Sequence, residues 1–299
     1  MCYHHPVADP LYVAVSPPRL PRHVDAARAS LPYSKENSME GAHMKHYPVI
    51  AWPGGKRRLS KVLLPLINSR PHTCYVEAFA GGASMFFLRQ PAEVEVLNDI
   101  NGEVINLYRV IKNHLDEFAK QFRFIVNSRQ LFEWSKDTPT HVLTDIQRAA
   151  RFLYIQKLAF GGKVSSQTFG TSPSSPPRFN ILRLEENLSQ AHLRLSRAWI
   201  EHLGWEACVA KWDRDYTMHF LDPPYYETEG YGVPFPLDEY HKIASAMKTM
   251  KGSAILTIND HPVMRQMFKG FDIEVVKIDY TIGGGGKGKN RQELICRNW

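Results

Sequence analysis

The chain has 299 residues, 43 % of them apolar and 22 % charged, with a formal net charge of +7. That length exceeds the ~100 to 200 residues of one ordinary domain and supplies a sizeable core, which excludes a fibrous or wholly disordered protein. The positive balance favours an anionic partner, because neutralising phosphates releases their counterions.

Cys2, Cys74, Cys208 and Cys296 stand apart in the sequence. This spacing excludes a dense disulfide framework and a paired-cysteine zinc site, and it predicts buried or free thiols with no bound metal. No apolar run reaches the ~18 residues of a membrane span, and the N-terminus lacks an apolar signal core. A cytoplasmic protein without a membrane partner is expected.

Residues 1–46 carry Pro6, Pro10, Pro17, Pro18, Pro21 and Pro32 and no sustained periodicity. This leader is expected to be disordered and to add little to the core, with Met39 or Met44 as an alternative start. From about residue 58 short apolar strands alternate with helical patterns, as a doubly wound α/β sheet requires. Strands are predicted near 73–79, 93–98, 199–203, 215–221, 253–259, 273–280 and 292–298. The predicted divisions are 47–111 and 199–299 for the sheet-forming parts and 112–198 for a mainly helical insertion.

The first predicted strand runs into Phe79-Ala80-Gly81-Gly82, just before the apolar helix Met85-Phe86-Phe87-Leu88. Gly81 and Gly82 there permit a ligand to approach the backbone closely. The next strand ends in Asn98-Asp99, eighteen positions after Gly81. An acid at that place in a doubly wound fold accepts hydrogen bonds from ribose hydroxyls, and capping the helix that starts near Asn101 is its competing role.

Within the insertion, residues 148–157 have apolar residues at helical spacing, which leaves Arg148, Arg151 and Lys157 for a solvated face. The polar, glycine-bearing segment 160–170 follows. Direct reading of base edges needs Arg, Lys, Gln or Asn, and the candidates are Lys163, Gln167, Arg178, Arg194 and Arg197. Pro173, Pro176 and Pro177 rule out a helix through the next stretch.

The apolar run Met218-His219-Phe220-Leu221 leads into Asp222-Pro223-Pro224-Tyr225. Proline fixes φ, and the residue before it is held extended, so successive carbonyl directions here are nearly predetermined. An adenine N6 is a poor nucleophile because its lone pair is delocalised into the ring. Two acceptors on its hydrogens would draw it toward a tetrahedral and more nucleophilic state, and the Asp222 carboxylate and the Pro223 carbonyl are the candidates for that role. Tyr225 offers a stacking face, worth roughly 1 to 3 kcal/mol per base. The competing reading is an ordinary strand-to-loop turn. The glycine-rich Gly283 to Asn290 segment lacks phosphate-cradle spacing and reads as a hairpin loop whose lysines approach DNA or solvent.

The order Trp52-Pro53-Gly54-Gly55-Lys56, Phe79-Ala80-Gly81-Gly82, Asn98-Asp99-Ile100-Asn101 and Asp222-Pro223-Pro224-Tyr225 resembles the Dam-type (D12 class) DNA adenine N6-methyltransferases with the alpha order of motifs. The likeness covers residue 47 to the C-terminus. It implies a Rossmann-like, S-adenosylmethionine-dependent methyltransferase fold with an inserted target-recognition domain, and double-stranded DNA as partner. It also implies that Trp52, Lys56, Phe79, Gly81 and Asp99 bind the donor, with Asp222 at the edge of both donor and base. Glu77 faces the methionine moiety in this reading. Segment 160–170 is similar to the loop that approaches the target base, although Lys163-Val164-Ser165 stands where relatives often carry Arg-x-Asn. A cytosine N4-methyltransferase, an RNA or protein-amide methyltransferase and a non-catalytic DNA-binding protein are the alternatives. A monomer is expected, and a GATC-like target rests on the likeness alone.

Overall fold

The computed structural model describes residues 47–177, 179–228, 234–279 and 290–299. The leader, Arg178 and most of the Gly283 to Asn290 segment lie outside the described residues. Those described fall in one compact unit, Met44–Trp299.

In chain order a short 3-10 helix, Lys56–Leu59, precedes α1 (Ser60–Asn68), β1 (Cys74–Glu77), α2 (Ser84–Leu88), β2 (Val94–Asn98) and α3 (Gly102–Asn113). Four further helices follow: α4 (Leu115–Lys120), α5 (Arg129–Asp137), α6 (Asp145–Leu158) and α7 (Leu184–Leu195). The sheet resumes with β3 (Trp199–Glu201), α8 (Trp205–Trp212), β4 (Thr217–Leu221), α9 (Leu237–Thr249), β5 (Ser253–Asn259), α10 (Pro262–Met267), β6 (Asp272–Asp279) and β7 (Asn290–Arg297). Each of the seven predicted strands overlaps one of these. Residues 171–177 carry no helix.

The strand order is β3-β2-β1-β4-β5-β7-β6. β1 to β5 are mutually parallel, and β7 runs antiparallel to both β5 and β6. The sheet and its flanking helices form the doubly wound α/β architecture that the sequence predicts. Strand residues alternate between two apolar layers, as period two dictates. Tyr75, Leu97, Met218, Phe220 and Ile255 meet one layer, and Cys74, Val76, Val96, Leu221 and Leu256 meet the other. Helices α8, α9 and α10 cover the second layer. The helices between β2 and β3 share the first: Phe118, Phe132, Leu153, Tyr154, Leu188 and Leu195 pack into the same core as β1 and β4.

The basic residues of α6 depart from the predicted solvated face. Arg148 pairs with Glu103 of α3 at 2.6 Å, and Arg151 donates to the Ser135 and Lys136 carbonyls of α5. They join helices instead of facing water. Cys74, Cys208 and Cys296 are free and buried. Among the described residues no helix is long and apolar enough to cross a membrane.

Candidate active site

The chain leaves β1 toward β2 and β3 on one side and resumes at β4 on the other, so the strand order reverses between β1 and β4. Open α/β sheets bind ligands outside the strand carboxyl ends at such a point. A cleft of about 270 Å³ lies there, lined by residues 77–85 from the end of β1 onward, by Asp99 and Ile100 after β2, by Trp52, Pro53, Gly55 and Lys56 and by Asp222 and Pro224 after β4.

Its floor is the glycine turn. Ala83 N–H donates to the Ala80 carbonyl at 2.6 Å, and Gly81 stands at φ +45°, a left-handed geometry that favours glycine. A Cβ on Gly81 would lie 2.5 Å from Trp52 Nε1, so the indole rests on the bare backbone. Asp99 secures the turn from the neighbouring strand: Oδ2 accepts from Gly81 N–H at 2.7 Å and Oδ1 from Asn101 N–H at 2.8 Å. Asn101, not Asp99, caps α3, through its side chain and Glu103 N–H. Burial raises the Asp99 carboxyl above its ordinary range, opposed by the N–H groups of Asn101 and Gly81.

Glu77 ends β1 in the cleft wall. Its Oε1 accepts from Phe86 N–H at 2.6 Å and from the Tyr75 hydroxyl at 3.0 Å. Burial pushes its carboxyl up to about 8, against both hydrogen bonds. The side chain is thus largely protonated at neutral pH.

Across the cleft, Trp52-Pro53-Gly54-Gly55 forms a tight turn, with Gly55 N–H on the Trp52 carbonyl at 3.0 Å and Gly54 at φ +70°. Proline second and a positive-φ glycine third suit a type II turn. The turn delivers Lys56, 3 % exposed, into the site. Its Nζ donates to the Gly54 carbonyl at 2.6 Å, lies 2.5 Å from Asp222 Oδ1 and sits 4.7 Å from the centre of the Tyr225 ring.

Asp222 follows β4 directly. Lys56 and the Thr257 hydroxyl (2.9 Å) both meet Oδ1. Burial pushes the Asp222 carboxyl up to about 6, with Lys56 holding it down and buried Glu293 adding repulsion. The Pro224 carbonyl accepts from the Tyr240 hydroxyl at 2.7 Å, so that acceptor is committed to holding the turn. Tyr225 differs from the expectation of an open stacking face: it is 7 % exposed and packs in the second core layer, with Lys56 over its ring.

The sequence pointed to Phe79 but not to its aromatic partners. Phe79 stacks on Trp205 at 6.1 Å and meets Phe235 edge-on at 5.7 Å, and all three line the cleft. Trp205 Nε1 is fixed by Glu239 at 2.7 Å. The position of Trp205 just after β3, at another strand's carboxyl end, is the signal that could have found it.

The five expected DNA contacts separate widely. Lys163 is exposed on the 160–170 loop, which is tied back by Phe160 N–H to Thr168 O and Gly170 N–H to Leu158 O. Gln167 Nε2 donates to Gln156 and to the Lys163 carbonyl, while Gln156 donates to Ala51 and Gly162, so the loop is anchored beside the Trp52 turn. Arg194 is no surface contact. It is buried in an ion pair with Glu95, donates to the Phe86 carbonyl at 2.7 Å and lies over the Phe86 ring. A guanidinium so enclosed cannot reach a base. Arg197 is exposed but precedes β3, beside Pro91 and Glu93, at the amino edge of the sheet and away from the cleft. Arg178 lies outside the described residues.

A family model for the D12 class N6 adenine-specific DNA methyltransferases matches residues 52–282. The chain is 26 % identical over 285 residues to the type II methyltransferase M1.LlaDCHI of Lactococcus lactis subsp. cremoris, covering 84 % of this chain and 95 % of the relative. It is 25 % identical over 262 residues to the type II methyltransferase M.CviBI of Paramecium bursaria Chlorella virus NC1A, covering 84 % and 99 %. It is 24 % identical over 257 residues to the DNA adenine methylase of Haemophilus influenzae, covering 80 % and 88 %. The glycine turn, its acid and the proline turn all fall inside the matched span, and the chain belongs to the D12 class N6 adenine-specific DNA methyltransferases.

Proposed function

We propose that this adenine-specific DNA methyltransferase works through one cleft that holds the donor on the β1 side and a flipped adenine on the β4 side. The observation that carries this reading is the meeting of the Gly81 turn and the Asp222 turn on the same cleft. The residues fit S-adenosylmethionine. Phe79, Trp205 and Phe235 offer faces for a purine, Asp99 an acceptor for ribose hydroxyls, and Trp52 with Lys56 closes the opposite wall. When bound, S-adenosylmethionine supplies an electrophilic methyl group.

The protein's own groups prepare the nucleophile. The target adenine leaves the duplex stack, as enzymes acting on a paired base require. Asp222 accepts a hydrogen bond from N6 through Oδ2, and the Pro223 carbonyl accepts the second, so the amine lone pair is drawn out of conjugation. Holding both reactants in line supplies much of the acceleration, and no covalent enzyme intermediate is involved. Tyr225 serves through its packed ring, which positions Lys56, and Pro224 through its bond to Tyr240.

Residues 112–198 carry target recognition in this reading. The support is the 160–170 loop, which is anchored beside Ala51 and presents Lys163 to solvent. Gln167 orders that loop and reads no base through its amide nitrogen. The acting form is a monomer on double-stranded DNA.

The test combines Asp222→Ala with sequencing that detects N6-methyladenine in DNA exposed to enzyme and donor. Donor binding by calorimetry persists and methyl transfer is lost. Near-normal turnover of this variant would defeat the assignment.

A further inference from the structure

β5 lies beside β4 in parallel register, with Leu221 opposite Leu256, so Asp222 and Thr257 come next to each other at the strand ends. Thr257 and Asn259 are two positions apart and share one face of β5. Thr257 is fully buried, and its hydroxyl donates to Asp222 Oδ1 at 2.9 Å. Asn259 brackets the residue just past the tetrapeptide. Its Oδ1 accepts from Tyr226 N–H at 2.9 Å, and its Nδ2 donates to the Tyr226 carbonyl at 3.1 Å.

Two consecutive prolines remove two of the N–H groups by which a turn ties itself down. The Asp222 to Tyr225 turn therefore depends on outside ties, and β5 holds it at both ends. Valine would fill the Thr257 site with the same shape, so packing alone does not account for a hydroxyl there. We infer that Thr257 and Asn259 are positioning residues for methyl transfer: Thr257 orients the Asp222 carboxylate so that Oδ2 meets the amine, and Asn259 fixes the depth of the proline turn in the cleft. The inference rests on the reading of Asp222 as the amine acceptor.

The groups that face Asp222 are Lys56 from the 3-10 helix, Glu77 from β1, Thr257 from β5 and Glu293 from β7. Thr257 acts with Lys56 in favouring the ionised carboxylate, and Glu293 opposes them. Removing the hydroxyl therefore moves the acid limb of the rate profile to higher pH.

The experiment measures kcat, KM for DNA, donor affinity by calorimetry and the pH profile for Thr257→Val, Thr257→Ser and Asn259→Asp. Thr257→Val should lower kcat about tenfold, the scale of one hydrogen bond to a charged group, with KM and donor affinity little changed and the acid limb displaced upward. Thr257→Ser should restore both the rate and the profile. Asn259→Asp keeps an acceptor for Tyr226 N–H but loses the donor, and should lower kcat. Native kcat and profile in Thr257→Val, or native kcat in Asn259→Asp, overturn the inference. Asp222→Ala, which removes both acceptor oxygens, separates the two failures when run in parallel: an inactive Asp222→Ala beside a native Thr257→Val condemns only the positioning role, whereas an active Asp222→Ala condemns the acceptor reading itself.

Discussion

Lys56 Nζ stands 2.5 Å from Asp222 Oδ1, inside the wall of the cleft, with a side chain only 2 % exposed against 19 % for its partner. The ammonium counters the burial that pushes the Asp222 carboxyl up to about 6. The acceptor role requires the ionised form. Replacing Lys56 with Met removes the attraction, so the carboxyl rises further and its acid limb moves to higher pH. Turnover at neutral pH should fall about tenfold or more and recover in part at alkaline pH. A pH–rate series on Lys56→Met checks this, and an unmoved limb would show that the pair does not control Asp222.

Glu77 makes stability fall as pH rises. Its carboxyl goes from the ordinary 4.5 to about 8 in the folded chain, so between those values the folded state holds more protons than the unfolded one. The stabilisation is complete below the unfolded value and is lost as pH rises through about 8. Glu77→Gln keeps an oxygen for Phe86 N–H and the Tyr75 hydroxyl but cannot ionise. Melting curves at pH 5 and pH 8 should therefore differ less for the variant than for the native protein.

Gly81→Ala combines a left-handed φ, a strain of about 1 to 2 kcal/mol for an L side chain, with a Cβ 2.5 Å from Trp52 Nε1. The indole must move out of the cleft wall. Donor affinity measured by calorimetry should drop more than about tenfold while the protein still folds. Unchanged affinity would remove Trp52 and Gly81 from the donor site.

Arg194 and Lys163 should behave oppositely. Arg194→Met leaves buried Glu95 with Arg89 as its remaining described guanidinium partner, and breaking a buried pair costs about 3 to 5 kcal/mol of stability. Denaturant unfolding should show this loss, with DNA affinity of the folded protein retained. Lys163→Ala should leave stability unchanged and reduce the slope of log affinity against log salt by about 1 if it meets a phosphate.

The strands and the two turns were legible because their signals are local. Val76, Val96 and Leu256 sit in apolar runs bounded by Gly, Asn or Pro, and Asp222-Pro223-Pro224 restricts its own backbone. The solvated-face reading of Arg148 and Arg151 and the base-contact reading of Arg194 failed for a different reason. Periodicity separates apolar from charged residues, but it does not tell a charge facing water from one facing Glu103 or Glu95 on another element. The burial of Tyr225 and the aromatic wall of Phe79, Trp205 and Phe235 were hidden in the same way, since those contacts join distant segments.

The amino-acid order alone established the chemistry on offer: a glycine turn, an acid eighteen positions beyond it, and a carboxylate ahead of two rigid carbonyls. These depend on φ restriction and spacing, which the chain carries with it. Partnership depended on the folded sheet. The parallel register of β4 and β5 brings Thr257 to Asp222, the Trp52 turn brings Lys56 to the same oxygen, and Asp99 reaches back to Gly81 across adjacent strands. Such contacts arise from strand order and burial, and no stretch of sequence contains both of their members.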